Sequence, residues 1–91
     1  MQENSPEIKQ FIREHSNLFW YTPEDQKESI SHELLIETIL NYGDLEMIKK
    51  LFGLMGIKHG AQVFRNMTGR KKLNFYPEIY NYFSLYFDRY A

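Results

Sequence analysis

Hydrophobic positions along this chain fall into five stretches with helical spacing, separated by short polar or glycine-marked breaks. In the first, Ile8, Phe11 and Ile12, with His15, recur at three- and four-residue intervals after Ser5 and Pro6. A serine hydroxyl accepts from an otherwise unpaired amide, and proline at the first helical position lacks only a donor that had no partner there. A short amphipathic helix is predicted. The stretch SNLFWYTPEDQKES breaks it, and Leu18, Phe19 and Trp20 are expected to pack back on the core as an apolar plug. Thr22 and Pro23 repeat the start signal, with Glu24 and Asp25 in the favourable first turn, so a brief helical turn is expected there.

The next pattern predicts a helix over residues 31–42. Leu34, Leu35, Ile36, Ile39, Leu40 and Tyr42 cover most of its circumference and leave only the stripe Glu33, Glu37 and Asn41 for water. A helix apolar almost all round belongs in the middle of a bundle. Gly43 is expected to take the left-handed conformation that ends this helix, and Asp44 to cap the following one. Over residues 45–55, Leu45, Met47, Ile48, Leu51, Phe52, Leu54 and Met55 share one half of the wheel; Glu46, Lys49 and Lys50 hold the other. Gly53 lies on that polar side, at a cost of about 1 kcal/mol relative to alanine. Stop and start signals this close together imply that the two helices pack against each other.

Gly56 closes the third stretch, and Ile57, Ala61, Phe64 and Met67 predict a weaker, shorter helix after it. TGRKKLN reads as a basic loop. Asn74 is expected to cap a last helix over residues 75–90, where Pro77 is tolerated because it stands within the first turn. On this helix Phe75, Tyr76, Ile79, Tyr80, Tyr82, Phe83, Tyr86, Phe87 and Tyr90 occupy an arc of about 160°, with Leu85 outside it. So wide an aromatic face exceeds what a small domain readily covers. Tyrosine suits an interface, because the ring buries while the hydroxyl stays wet or finds a partner. Tyr80, Tyr82, Tyr86 and Tyr90 are therefore the candidate residues for binding a protein partner or a second copy. The competing reading is that these rim tyrosines snorkel at the edge of the core.

The chain has 91 residues, of which 43% are hydrophobic, enough apolar surface to fold as one domain but too little for two. The reading is an all-α, single-domain bundle of about five short helices spanning 1–91. Without cysteine the chain forms neither disulfides nor thiolate metal sites. No stretch approaches the roughly 20 apolar residues of a membrane span, and the polar start MQENSPEIKQ lacks the apolar core of a secretion signal. A cytoplasmic protein is expected, with no membrane partner.

Charge adds a further clue. The net charge of −1 divides into ten acids and three bases from Met1 to Ile48, against two acids and eight bases from Lys49 to Ala91. Such a split attracts nucleic acid or an acidic partner, or else the halves neutralise each other within one molecule or across a dimer. Catalysis has little to build on. His15, His32 and His59 are scattered, Glu33 and Glu37 read as solvated carboxylates, and no nucleotide-binding, nucleophile-elbow or zincin motif occurs. No enzymatic activity, metal or cofactor is expected.

The pair of helices around Gly56 resembles a helix-turn-helix in outline. In that alternative, a DNA-binding transcriptional regulator, Lys58, His59, Gln62, Arg65 and Asn66 face the groove while Arg70, Lys71 and Lys72 hold phosphates. The register opposes it, because Gln62 and Arg65 stand where that motif wants apolar residues. The corner at Gly43 is no better placed, since the helix after it starts with acid.

LFW at residues 18–20, IETILNYGDLEMIKKLF at 36–52, MGI at 55–57 and LNFY at 73–76 together resemble a family of short, largely uncharacterised bacterial all-helical proteins. Many of its members are similar to the antitoxin-like partners encoded beside nucleotidyltransferase-type toxins. The resemblance implies a small helical protein that binds a toxin or regulates its operon, with no catalytic residues to carry over. The shared positions Phe19, Trp20, Tyr42, Gly43 and Gly56 read as core and caps.

Overall fold

The structure, a computed structural model, describes residues 4–67 and 74–91. Its regular elements are helical: α1 (Pro6–Glu14), α2 (His32–Tyr42), α3 (Leu45–Met55), α4 (Ile57–Asn66) and α5 (Pro77–Tyr90), with 3-10 turns at Ser16–Phe19 and Glu24–Ser29 between the first two. This is the all-α bundle that the periodicity predicts. Among the described residues, no helix is long and apolar enough to cross a membrane.

The starts of three helices follow the expected capping chemistry. The Ser5 hydroxyl accepts from the Ile8 amide at 3.2 Å, that of Ser31 from Leu34 at 3.1 Å, and the Asp44 carboxylate from Met47 at 2.8 Å. Each satisfies an amide that the helix itself leaves unpaired. Helix α5 departs from expectation. It begins at Pro77 with Tyr76 as its cap, and Asn74 makes no cap. Its entry is held instead by Asn41 of α2, whose amide nitrogen donates to the Asn74 carbonyl at 2.9 Å while its oxygen accepts from the Tyr76 amide at 3.2 Å.

The two glycine corners differ from each other. Gly43 does not adopt the left-handed conformation; its backbone is extended, with φ −81° and ψ 166°. Glycine is needed there for a close approach, since a Cβ would lie 2.7 Å from the Ile39 carbonyl oxygen. The positive φ falls at Gly56, at 86°. That one residue serves both helices: its amide donates to the Phe52 carbonyl of α3 and its carbonyl accepts from the Gly60 amide of α4, each at 2.9 Å.

Phe11, Ile12, Phe19, Leu35, Ile36, Ile39, Leu40, Leu51 and Phe87 are completely or almost completely buried and form the centre of one continuous core. Helix α2 lies across α3 and α4, and α1 covers α3 and the Glu24–Ser29 turn. Polar contacts tie down the N-terminal side: the Asn4 side chain donates to the carbonyls of Glu28 and Ile30, and the buried Lys27 ammonium donates to the Ser16 carbonyl at 3.1 Å and to Glu24 at 2.7 Å. Trp20 does not join the plug formed by Phe19 and Leu18. It is 78% exposed, and Tyr42 at the end of α2 also points outward.

Candidate functional site

Helix α5 lies at the outside of the bundle and is docked by ring contacts. Phe52 of α3 meets Phe87 at 5.3 Å and Phe83 at 6.4 Å between centroids, and Phe64 of α4 meets Phe87 at 5.2 Å. Phe83 and Phe87, one turn apart, thus point inward and set the rotation of the helix. Everything displaced from them by more than a quarter turn remains outside.

The four candidate tyrosines divide on this basis. Tyr80 is on the flank toward α4, half-buried and stacked on Phe64 at 5.2 Å with Phe75 behind it, so it belongs to the core's edge rather than to an outward face. Tyr86 is also partly buried, stacked on Phe52 at 6.0 Å. Tyr82 and Tyr90 are 57% and 55% exposed, and both pack against Tyr86, at 6.2 and 4.8 Å. Leu85, outside the predicted arc, is 71% exposed and falls next to Tyr82 on the wheel, three residues along. The outward stripe is therefore Tyr82 and Leu85, flanked by the half-buried Tyr86, whereas Tyr90, in line with Phe83, is exposed at the last turn of the helix with Arg89 over its ring at 5.5 Å. On the wheel Leu85 stands opposite Phe83 and Phe87, which is the sequence signal for its exposure.

A second group of exposed aromatics gathers from separate parts of the chain. Trp20 meets Tyr21 edge-on at 5.4 Å, and Tyr42 meets Tyr76 edge-on at 5.9 Å with their hydroxyls 3.5 Å apart. The Tyr21 hydroxyl is bonded to that of buried Thr38, one turn of α2 before Tyr42, which joins the two pairs into one strip. Glu37 precedes Thr38 and is half-buried; its carboxyl is raised above the usual range by burial, opposed by the Asn74 side chain. Tyr21 is held protonated by burial, and Tyr42 chiefly by its hydrogen bond with Tyr76, so both phenols are neutral.

Of the residues of the nucleic-acid alternative, Lys58, Gln62 and Arg65 share one exposed face of α4. Arg65 is 3.4 Å from Asp88 of α5, and Arg70, Lys71 and Lys72 lie outside the described residues. A single-residue joint at Gly56 is also tighter than the three- to four-residue turn of a helix-turn-helix. His59 faces inward toward α2, its Nε2 lying 2.8 Å from Nδ1 of His32. The acidic and basic halves meet through Lys50 and Glu14 at 3.4 Å, whereas Arg13 is held within the acidic half by Glu24 and Glu28 at 2.9 and 2.6 Å. Among the described residues, no three His, Asp or Glu side chains gather as a metal site would require.

No family model matches the chain, and no curated protein or solved structure is significantly similar to it.

Proposed function

We propose that this protein works as a non-catalytic interaction module, and that the outward stripe of α5 docks a protein partner. The observation that carries the reading is the exposure of Tyr82 and Leu85 together on one helix face, flanked by Tyr86. Burying a ring of this size in an interface removes roughly 150–250 Å² from water, and clustered aromatic anchors over a packed base are where binding energy concentrates. The partner class named by the sequence resemblance, a nucleotidyltransferase-type toxin, is the one this reading adopts. The protein would then cap its partner in the manner of an antitoxin.

The test is to co-express the chain with the product of the neighbouring gene and measure affinity by calorimetry at low and high salt. Tyr82→Ser with Leu85→Ser alters only exposed side chains and leaves the core whole. An interaction that persists in high salt and weakens at least tenfold in the folded double variant supports the proposal. Undiminished binding by that variant overturns it, as does a stripe that instead holds two copies of this chain together in a dimer abolished by the same substitutions.

A further inference from the structure

We propose that the strip of Trp20, Tyr21, Tyr42 and Tyr76 beside Glu37 is a second binding surface, which takes the guanidinium of an arginine side chain presented by a protein partner. It is independent of the α5 stripe and built from other elements: a turn after α1, the last turn of α2 and the residue that caps α5.

Chemistry selects the ligand. The face of an aromatic ring carries partial negative charge, so exposed indole and phenol faces attract a cation, tryptophan most strongly. The strip presents an indole and three phenols and adds the carboxylate of Glu37. Among the described residues, the ion-paired cations are elsewhere: Arg13 and Lys27 with Glu24, Lys50 with Glu14 and Arg65 with Asp88. Glu37 forms no ion pair with any of them. Three of the four rings also belong to the acidic half of the chain, which carries seven excess negative charges over Met1 to Ile48. The Glu37 carboxylate and the acidic half repel phosphate, which argues against a strand of stacked bases even though bases also stack on exposed aromatics.

The choice of arginine over lysine follows from shape. A guanidinium is planar, lies flat on a ring and still directs its edge N–H groups toward a carboxylate, whereas an ammonium is a compact, strongly hydrated point charge. The surface is also partly preorganised. Asn41 holds the Asn74–Tyr76 segment by two hydrogen bonds and Thr38 holds the Tyr21 hydroxyl, so less side-chain freedom is lost on binding.

Trp20 is the one tryptophan of the chain, and its emission therefore reports on this strip alone. The experiment titrates the full-length protein with hexa-arginine, hexa-lysine and a short oligothymidylate, following tryptophan fluorescence at low salt. The expected result is a saturable change with hexa-arginine, binding about threefold or more weaker with hexa-lysine, and about fivefold or more weaker in Glu37→Gln. Tyr42→Ala, which keeps the reporter, weakens binding likewise, while Tyr82→Ser with Leu85→Ser leaves it unchanged. Equal binding of the two peptides, no effect of Glu37→Gln in a protein whose circular dichroism is unaltered, or tighter binding of the oligothymidylate overturns the proposal. Because the α5 double variant is read in the same titration, failure here is separable from failure of the α5 interface.

Discussion

Substituting the glycines of α3 and its corners one at a time separates backbone strain from steric contact. Gly53 lies inside α3, exposed, and a Cβ built on it meets nothing within 4 Å. Gly53→Ala removes the entropic cost of glycine in a helix and stabilises the protein by about 0.5–1 kcal/mol. Gly56, three residues later, has equally open space around its Cβ position but a φ of 86°. With ψ at 132°, that backbone conformation costs an L-residue about 1–3 kcal/mol, so Gly56→Ala destabilises with no clash at all. For a domain of this length, 1 kcal/mol moves the thermal midpoint by about 4–8 °C. The two variants should thus flank the parent, the first raising Tm by about 2–8 °C and the second lowering it by at least about 4 °C. Gly43→Ala destabilises for a different reason, the 2.7 Å approach to the Ile39 carbonyl. Urea titrations with an unchanged m-value would show that the folded state carries the effect. A Gly56→Ala protein as stable as the parent would refute the reasoning, since it would require a negative φ at the joint between α3 and α4.

Two further predictions concern the interior. The His32–His59 pair joins α2 to α4 through a shared proton, and burial, followed by the nearby His59 charge, pushes the His32 pKa below its ordinary 6.5. A protonated His32 would also bury an N–H at Nε2, which has no partner among the described residues. The unfolded chain therefore binds the proton more readily. Stability is full above pH 6.5 and declines as the pH falls below that value toward the lowered His32 pKa. Urea titrations at pH 8 and pH 5.5 should show this difference, and His32→Gln should flatten it. Phe64, buried against Phe75, Tyr80 and Phe87, anchors α5 to α4. Phe64→Ala should cost about 3–5 kcal/mol and lower Tm by more than about 12 °C, whereas Phe64→Leu should lose far less. Calorimetry on the two variants decides it.

The helices were legible because periodicity and caps agree: Ser5, Ser31 and Asp44 all make the bonds that their positions imply. What failed was any reading that depended on a distant partner. Asn74 is a good cap by type, yet Asn41, 33 residues earlier, takes hold of that segment and moves the start of α5 to Pro77. Gly43 and Gly56 look alike in a sequence, and only the path of the chain decides which one needs a positive φ. The aromatic residues of α5 fall in one arc by periodicity, but the structure sorts them by chemistry. All seven phenylalanines are buried, while no tyrosine is. A phenol hydroxyl buried without a partner is costly, and a ring with a wet edge avoids that cost. Reading Phe83 and Phe87 as the inward face, and tyrosine as its margin, would have assigned Tyr80 and Tyr86 to the flanks and left Tyr82 and Leu85 outside.

That sorting leaves two exposed aromatic surfaces whose surroundings differ, and the difference sets how each should respond to salt. The α5 stripe holds Leu85 beside tyrosines, with Arg89 already over Tyr90, so the docking proposed there rests chiefly on apolar burial and should persist when charges are screened. The Trp20 strip has Glu37 beside it and lies mostly in the acidic half, so the cation binding proposed there includes a Coulombic part that salt should reduce. A partner that engages both surfaces would lose only part of its affinity between low and high salt. The part lost should disappear in Glu37→Gln, and the part kept should disappear in Tyr82→Ser with Leu85→Ser. One salt series on three proteins therefore assigns the binding energy to the two faces, and it does so whichever of them a given partner uses.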